Sequence, residues 1–264
     1  MRSSVKKHHS LSIGTLVLLM FVFSDDARAA TRYYYQIKIY HLKTKAQEDR
    51  LDQYLQNAYL PALHRSGIKS AGVFKPVEQD TADKKIYVLV PFTSLEKLTT
   101  IDQKLDADKQ YLADGKEYLD AGYKDAPFTR IESIILQAFP KMPEPAVPNL
   151  TAAKTERVYE LRSYESATEK YNINKVKMFN DGNEVALFKR LGFNAVFYAE
   201  VIAGSHMPNL MYMTTFNNKQ DRDKHWDTFS NDTEWKTLVA KTEYQNNVSH
   251  NEIVFLHPTL YSDF

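Results

Sequence analysis

Cysteine is absent from the 264-residue chain. Its absence excludes disulfides, a thiolate nucleophile and a cysteine-ligated metal site. The histidines show neither the H-x-H nor the H-E-x-x-H spacing typical of zinc sites, so we expect no dedicated metal site. The G-x-G-x-x-G, P-loop and G-x-S-x-G motifs are also missing, and no Ser-His-Asp triad can be argued. The sequence therefore predicts no cofactor and names no reaction.

An excess of either charge is missing too. Lys and Arg total 34 against 33 Asp and Glu, which gives a net charge of +1. Basic residues form no run beyond the N-terminus, so nothing indicates a nucleic-acid partner. Tyrosine is abundant, with 17 residues. Tyrosines suit a ligand pocket, an interface or half-buried strands equally well.

The N-terminus has the three parts of a secretory signal. Basic residues precede a 13-residue apolar run, Leu11 to Phe23, which is short for a membrane span. An A-x-A cleavage site follows at Ala27 to Ala29. We expect residues 1–29 to be a signal peptide and the mature protein to be periplasmic or secreted, with no membrane association after cleavage. The alternative is an N-terminal membrane anchor.

A proline-rich segment divides the mature chain. Four of the ten prolines lie between Pro140 and Pro148, where neither a helix nor a sheet ladder can continue. Residues 140–155 are therefore predicted to be a linker. It separates a first unit, residues 30–139, from a second unit, residues 156–264.

The two units match each other in sequence. Four landmarks recur in the same order at offsets close to 124 residues, which is the signature of an internal repeat. The matched pairs are Tyr35–Tyr40 with Tyr159–Tyr164, Arg65–Gly67 with Arg190–Gly192, Ile86–Phe92 with Leu210–Phe216, and Glu132–Gln137 with Glu252–His257.

Each unit reads as strand, helix, strand, strand, helix, strand. In the first, Tyr33 to Tyr40 alternates polar and apolar residues, and Gln47 to His64 carries a helical apolar stripe. Gly67 is placed to end that helix, and Ser94 to begin the next. This order is the ferredoxin-like βαββαβ unit. The predicted fold class is α+β: tandem ferredoxin-like repeats forming a dimeric α+β barrel within one chain.

Alternation along the first strand of each unit separates an apolar from a polar set. We expect the apolar set to face the helices, which directs the polar set, including Glu160 and Arg162, toward the barrel lumen. Three interpretations are open there: Glu160 or Glu252 pairs with Arg162, Arg162 and Tyr164 meet an anionic or carbonyl group of a ligand, or this face is simply wetted. The predicted ligand-binding residues are Arg162, Tyr164, Tyr212, His206, Lys38 and Tyr40.

The second unit resembles the NIPSNAP family. The strand Tyr159 to Tyr164 reads Tyr-Glu-Leu-Arg-x-Tyr, and Asn209 to Phe216, Arg222 and the pair Glu234-Trp235 follow in the family's order. The resemblance covers residues 157–257 and implies the dimeric α+β barrel fold. Broader relatives on that fold include cofactor-independent monooxygenases and haem-degrading enzymes. The chain departs from the family pattern in its predicted export and its diverged first unit.

Three functions are compatible with these observations. The first is binding of a small semi-polar molecule between the two sheets. The second is a cofactor-independent monooxygenase or haem-handling enzyme, with His206 or His225 as the base. The third is self-association as a homo-oligomer, which an exposed row of tyrosines would favour: Tyr33, Tyr111, Tyr118 and Tyr123.

Overall fold

The computed structural model describes residues 31–264 of the chain. The predicted signal peptide lies outside these residues, so it and the predicted export stay predictions. No helix in the described range has the length and apolar character that crossing a membrane requires.

Each repeat contains four strands, and helices follow the first and third of them. The first repeat consists of β1 (Tyr34–Leu42), α1 (Lys45–Tyr54), a π-helical turn (Leu55–Tyr59), α2 (Leu60–Arg65), β2 (Gly72–Pro76), β3 (Lys84–Phe92), α3 (Leu95–Asp106), α4 (Lys109–Asp114), α5 (Lys116–Leu119) and β4 (Arg130–Ala138). The second consists of β5 (Val158–Glu165), α6 (Glu169–Asn180), α7 (Glu184–Arg190), β6 (Asn194–Ala203), β7 (Asn209–Phe216), α8 (Lys219–Asn231), α9 (Thr233–Val239), a 3₁₀ turn (Thr242–Tyr244) and β8 (His250–Pro258).

Local sequence signals set several of these boundaries. The Thr44 hydroxyl accepts from the backbone N–H of Gln47 and begins α1 with a capping box. Ser94 caps α3 in the same way, as predicted. Gly67, at φ +91°, follows α2 in the left-handed conformation that glycine adopts without steric cost.

The eight strands form one closed barrel in the order β1-β3-β2-β8-β5-β7-β6-β4. Every neighbouring pair is antiparallel, and β2–β8 and β4–β6 join the two repeats. Because β1 and β5 are four strands apart in the ring, they run in the same direction. Their C-terminal ends therefore meet at one mouth of the barrel, and this closed arrangement confirms the predicted fold class.

The interior is filled by strand residues from both repeats. It includes Tyr35, Ile37 and Ile39 of β1 and Tyr159 and Leu161 of β5. Separate apolar layers lie outside the barrel, between each half of the sheet and its own helices. Both faces of most strands are thus covered.

The predicted orientation of the first strands is wrong. The apolar set faces the lumen, whereas Glu160, Arg162, Lys38 and Tyr40 face the helices. Side chains from all eight strands point into the lumen and pack against one another there. The apolar set therefore lies inside the barrel. Glu160 accepts hydrogen bonds from Arg222 and Trp226 of α8, which lies outside the barrel.

Candidate functional site

Three of the predicted ligand-binding residues lie in a polar network between β5 and α8. The Glu160 side chain is fully buried and accepts from Nε of Arg162 at 2.7 Å and from Nη2 and Nε of Arg222 at 2.8 and 2.9 Å. The indole N–H of Trp226 donates to the Oε2 atom of Glu160 at 2.7 Å. Arg162 also donates to the Tyr164 hydroxyl at 3.0 Å, and that hydroxyl lies 2.8 Å from the hydroxyl of Tyr212.

The polar groups of this network are hydrogen-bonded to one another. The Arg162 guanidinium stacks on the Trp226 ring at 3.8 Å, so its face as well as its edge is in contact. Burial alone would raise the pKa of Glu160, but the hydrogen bond from Arg222 and the charges of Arg162 and Arg222 hold it below its usual range. Of the interpretations of Arg162, the geometry matches the ion pair, with Glu160 as the partner.

The equivalent positions of the first repeat hold a different cluster. Lys38 donates to the Tyr59 hydroxyl at 3.1 Å, and the hydroxyls of Tyr54 and Tyr111 are 2.8 Å apart. Tyr40 is buried beside this cluster, and burial raises its pKa to about 12. Lys38 and Tyr40 therefore do not meet Arg162, because each set lies under the helices of its own repeat.

The lumen opens into a cavity at the mouth where β1 and β5 end, which we call the barrel-end cavity. It has a volume of about 90 Å³. Its floor is apolar and is formed by Ile39, Ile134, Leu161, Val201, Met211 and Val254. Its polar wall consists of Lys85, Tyr87, Glu132, Ser163, His206, Asn209 and Glu252, together with Gly204 and Ser205.

The wall combines equivalent positions of the two repeats. Glu132 and Glu252 are each the third residue of the last strand of their repeat. Lys85 and Asn209, at the starts of β3 and β7, are likewise related by the 124-residue offset. The cavity therefore lies around the pseudo-twofold axis, and neither repeat forms it alone.

Asn209 is the deepest polar residue in this wall. It is 3% exposed and donates through Nδ2 to the Ser163 hydroxyl at 2.8 Å. Its Oδ1 has no hydrogen-bond partner among the described residues. A buried amide oxygen without a donor is costly, and native structures satisfy nearly all such groups. The cavity wall therefore contains a buried acceptor that lacks a donor among the described residues.

Two histidines near the mouth are oriented by carboxylates. His206 is exposed in the β6–β7 loop, and its Nδ1 lies 3.1 Å from Glu165. His41 lies between Asp83 and Glu132, at 2.9 and 2.8 Å. No set of three or more His, Asp or Glu residues in the described range is arranged to hold a metal ion.

Only His206 among the predicted ligand-binding residues lies in the barrel-end cavity. His225, the other candidate base, is on α8, where its Nδ1 lies 2.8 Å from the Asp221 carbonyl oxygen. The cavity wall also contains residues that were not predicted to bind a ligand: Glu132, Glu252, Asn209, Ser163 and Lys85. A signal for two of them was present, since the repeat alignment itself pairs Glu132 with Glu252.

The exposed row of tyrosines that would favour self-association is not found among the described residues. Tyr111 is buried and Tyr33 and Tyr118 are half-buried, whereas Tyr123 is 99% exposed. Tyr118 stacks on Tyr54 with ring centroids 3.7 Å apart, so it belongs to the first-repeat core. This observation counts against self-association through tyrosines.

Barrel closure and the two-repeat cavity define the class: the chain is a dimeric α+β barrel protein made of two ferredoxin-like halves. Residues 159–263 match the model of the NIPSNAP family, so the second repeat is similar to a NIPSNAP domain. A comparison with curated proteins finds no match.

Solved structures share the architecture at low sequence identity. A candidate monooxygenase from Lactobacillus acidophilus is 14% identical, with a TM-score of 0.51, covering 86% of this chain and 94% of that one. One from Fusobacterium nucleatum is 6% identical, with a TM-score of 0.54 and coverages of 87% and 93%. An anthrone oxidase-like protein is 9% identical, with a TM-score of 0.50 and coverages of 88% and 93%. Similarity at this level shows the fold alone.

Proposed function

We propose that the protein binds a small, partly polar molecule in the barrel-end cavity. The observation that carries this proposal is the unpartnered Oδ1 of the buried Asn209, which lies in the wall of a cavity with an apolar floor. Ligand sites typically combine an apolar lining with a few convergent polar groups. Of the residues predicted to bind a ligand, His206 lines this cavity, whereas Arg162, Tyr164, Tyr212, Lys38 and Tyr40 do not.

The size of the cavity limits the ligand. A dry cavity of about 150 Å³ is sufficient for benzene, and drug-sized ligands occupy about 300–1,000 Å³. A cavity of about 90 Å³ suits a body of about four carbon atoms, with a polar group at the mouth. A haem or a polycyclic aromatic compound does not fit this space, so we do not assign haem handling to it.

A thermal-shift experiment on the purified protein tests the proposal. The probes are butylamine, 1-butanol and butyrate, which share a four-carbon body. A probe at about a hundred times its dissociation constant adds roughly 2.7 kcal/mol, which raises the melting temperature by several degrees. Val254→Phe fills the floor and should abolish the shift.

Ile253→Phe is the matched control, because Ile253 precedes Val254 on β8 and faces outward, where it is exposed. This variant should keep the response of the wild type. If no probe gives a shift, or if both variants respond alike, ligand binding in the cavity is refuted.

A second candidate function is enzymatic. The contact between His206 Nδ1 and Glu165 orients an imidazole at the cavity mouth, which is the arrangement a general base requires. Such an enzyme would abstract a proton from a bound molecule. Turnover of any compound shown to bind should then fall by about 10²–10⁴-fold in His206→Asn. Unchanged turnover in that variant would exclude this role.

A further inference from the structure

The charges around the barrel-end cavity are unequal. Four carboxylates lie in its wall or directly behind it: those of Asp83, Glu132, Glu165 and Glu252. Lys85 is the permanently charged cation of this wall, and the imidazoles of His41 and His206 are charged only when protonated. At neutral pH the site therefore has fewer cations than carboxylates.

The basic groups already have acidic partners. Lys85 Nζ is 3.8 Å from Asp83, which also contacts His41, and His206 contacts Glu165. At the next positions outward along β4 and β8, Arg130 and His250 are exposed and outside the cavity wall. An anionic ligand would have to compete with carboxylates for Lys85, His41 and His206.

Glu252 is exposed at the mouth, and no described residue hydrogen-bonds to it or forms a salt bridge with it. It lies in the cavity wall opposite its repeat equivalent Glu132, whose carboxylate is engaged by His41. Burial, followed by the charges of Glu252, Glu132 and Asp83, raises the pKa of the Tyr87 hydroxyl in the same wall. The charges of these three carboxylates therefore all reach the Tyr87 hydroxyl in the cavity wall.

The cavity wall contains a further hydrogen-bond acceptor that is more buried than the carboxylates. Asn209 Oδ1 is a second unpartnered acceptor in the same wall, and its burial separates it from bulk water. A primary ammonium group has three N–H donors and no acceptor, so it can satisfy Asn209 and a carboxylate at once. The apolar floor then accommodates a short hydrocarbon body.

Building on the proposed function, we infer that the occupant of the barrel-end cavity is a short aliphatic primary ammonium ion. Its charged group lies at the mouth, between Glu252 and Glu132, and donates to Asn209 Oδ1. Its hydrocarbon chain lies on the floor formed by Leu161, Met211 and the neighbouring aliphatic residues. Neutral and anionic molecules with the same body bind more weakly.

Isothermal titration at pH 7 with butylamine, 1-butanol and butyrate tests this assignment. Butylamine is fully protonated at that pH, as a lysine side chain is. We expect it to bind at least about tenfold more tightly than 1-butanol, because hydrogen bonds between charged groups are about twice as strong as neutral ones. Added salt should weaken butylamine binding and leave 1-butanol binding unchanged.

Glu252→Gln keeps the shape of the wall and removes the unpaired charge, so it should abolish the preference for butylamine over 1-butanol. Glu243→Gln is the control, since Glu243 is an exposed carboxylate in the 3₁₀ turn, outside the cavity wall. Equal preference in wild type and Glu252→Gln would overturn the assignment.

The outcomes separate the two proposals. Butyrate or 1-butanol binding more tightly than butylamine, with the response lost in Val254→Phe, overturns the ammonium assignment and supports the cavity. Binding of none of the three probes refutes the cavity, and the ammonium assignment with it. Butylamine binding that survives Val254→Phe also overturns both, because the amine then binds elsewhere.

Discussion

The first strands of the two repeats carry equivalent residues that are stabilised in different ways. In the second repeat, Glu160 and Arg162 join Arg222 and Trp226 of α8 in a buried ionic network. In the first repeat, Gln36 occupies the position of Glu160, and Lys38 occupies that of Arg162 and contacts Tyr59. The space under the helices is filled there by stacked tyrosines.

The difference shows which features belong to packing and which to a shared site. The residues of the NIPSNAP resemblance in β5 anchor α8 to the sheet, and the first repeat holds its own helices without them. The glutamates at the barrel mouth, by contrast, occur in both repeats. A feature that both halves contribute to one cavity is a better guide to function than a network confined to one half.

Glu160→Gln should produce the largest loss of stability. The amide keeps the volume of the side chain but brings an NH₂ group against the donors of Arg162, Arg222 and Trp226. Breaking a buried ion pair by removing one partner costs about 3–5 kcal/mol. Gln36→Ala, at the equivalent position, should change the unfolding free energy by about 0.5 kcal/mol or less. Urea denaturation of both variants measures the contrast, and equal losses would contradict the asymmetry.

Acid titration sharpens the same comparison. Because the pKa of Glu160 lies below its ordinary value of 4.5 in the folded state, its contribution is fully present above that pH. It is lost as the pH falls through the folded-state pKa. The unfolding free energies of the wild type and Glu160→Gln should therefore converge in acid. A gap that widens as the pH falls would mean that Glu160 is not the stabilising carboxylate.

Arg162→Met should have the next largest effect. It removes the stacking on Trp226 and the hydrogen bond to Tyr164, while Glu160 keeps Arg222 and Trp226 as partners. We expect a loss of about 2–3 kcal/mol. Lys38→Met, its counterpart, removes one partly buried hydrogen bond and should cost about 1 kcal/mol. Thermal unfolding of the two variants measures the difference. A larger loss of stability in Lys38→Met than in Arg162→Met would contradict the expected order.

The smallest contrast is between two tyrosines. Tyr164→Phe leaves both the Arg162 guanidinium and the Tyr212 hydroxyl short of a partner and should cost about 2 kcal/mol. Tyr54→Phe leaves the Tyr111 hydroxyl alone and should cost about 1 kcal/mol. Calorimetric unfolding at neutral pH can resolve these values. The opposite order would show that the first-repeat tyrosines are more tightly coupled than their hydrogen bonds indicate.

Much of the fold could be predicted because its signals are local. The end of the first helical region just before Gly67 and the N-cap at Ser94 both occur where the residues predicted them. The repeat offset predicted that both units share one βαββαβ order, and two ferredoxin-like sheets have few ways to cover their open faces. Asn209 and Ser163 could not be found in this way, because they are ordinary strand residues that become a site only when β5 and β7 pair.

The sequence by itself determined the two repeats, their βαββαβ order and the alternation of each strand. It could not decide which alternating face turns inward, because both faces of these strands are covered in a closed barrel. Tertiary structure made that choice. Glu160 pairs with Arg222 and Trp226, which follow it by 62 and 66 residues, outside the barrel. The lumen was thereby left to apolar residues, with the two glutamates and the other polar residues of the cavity wall at its mouth.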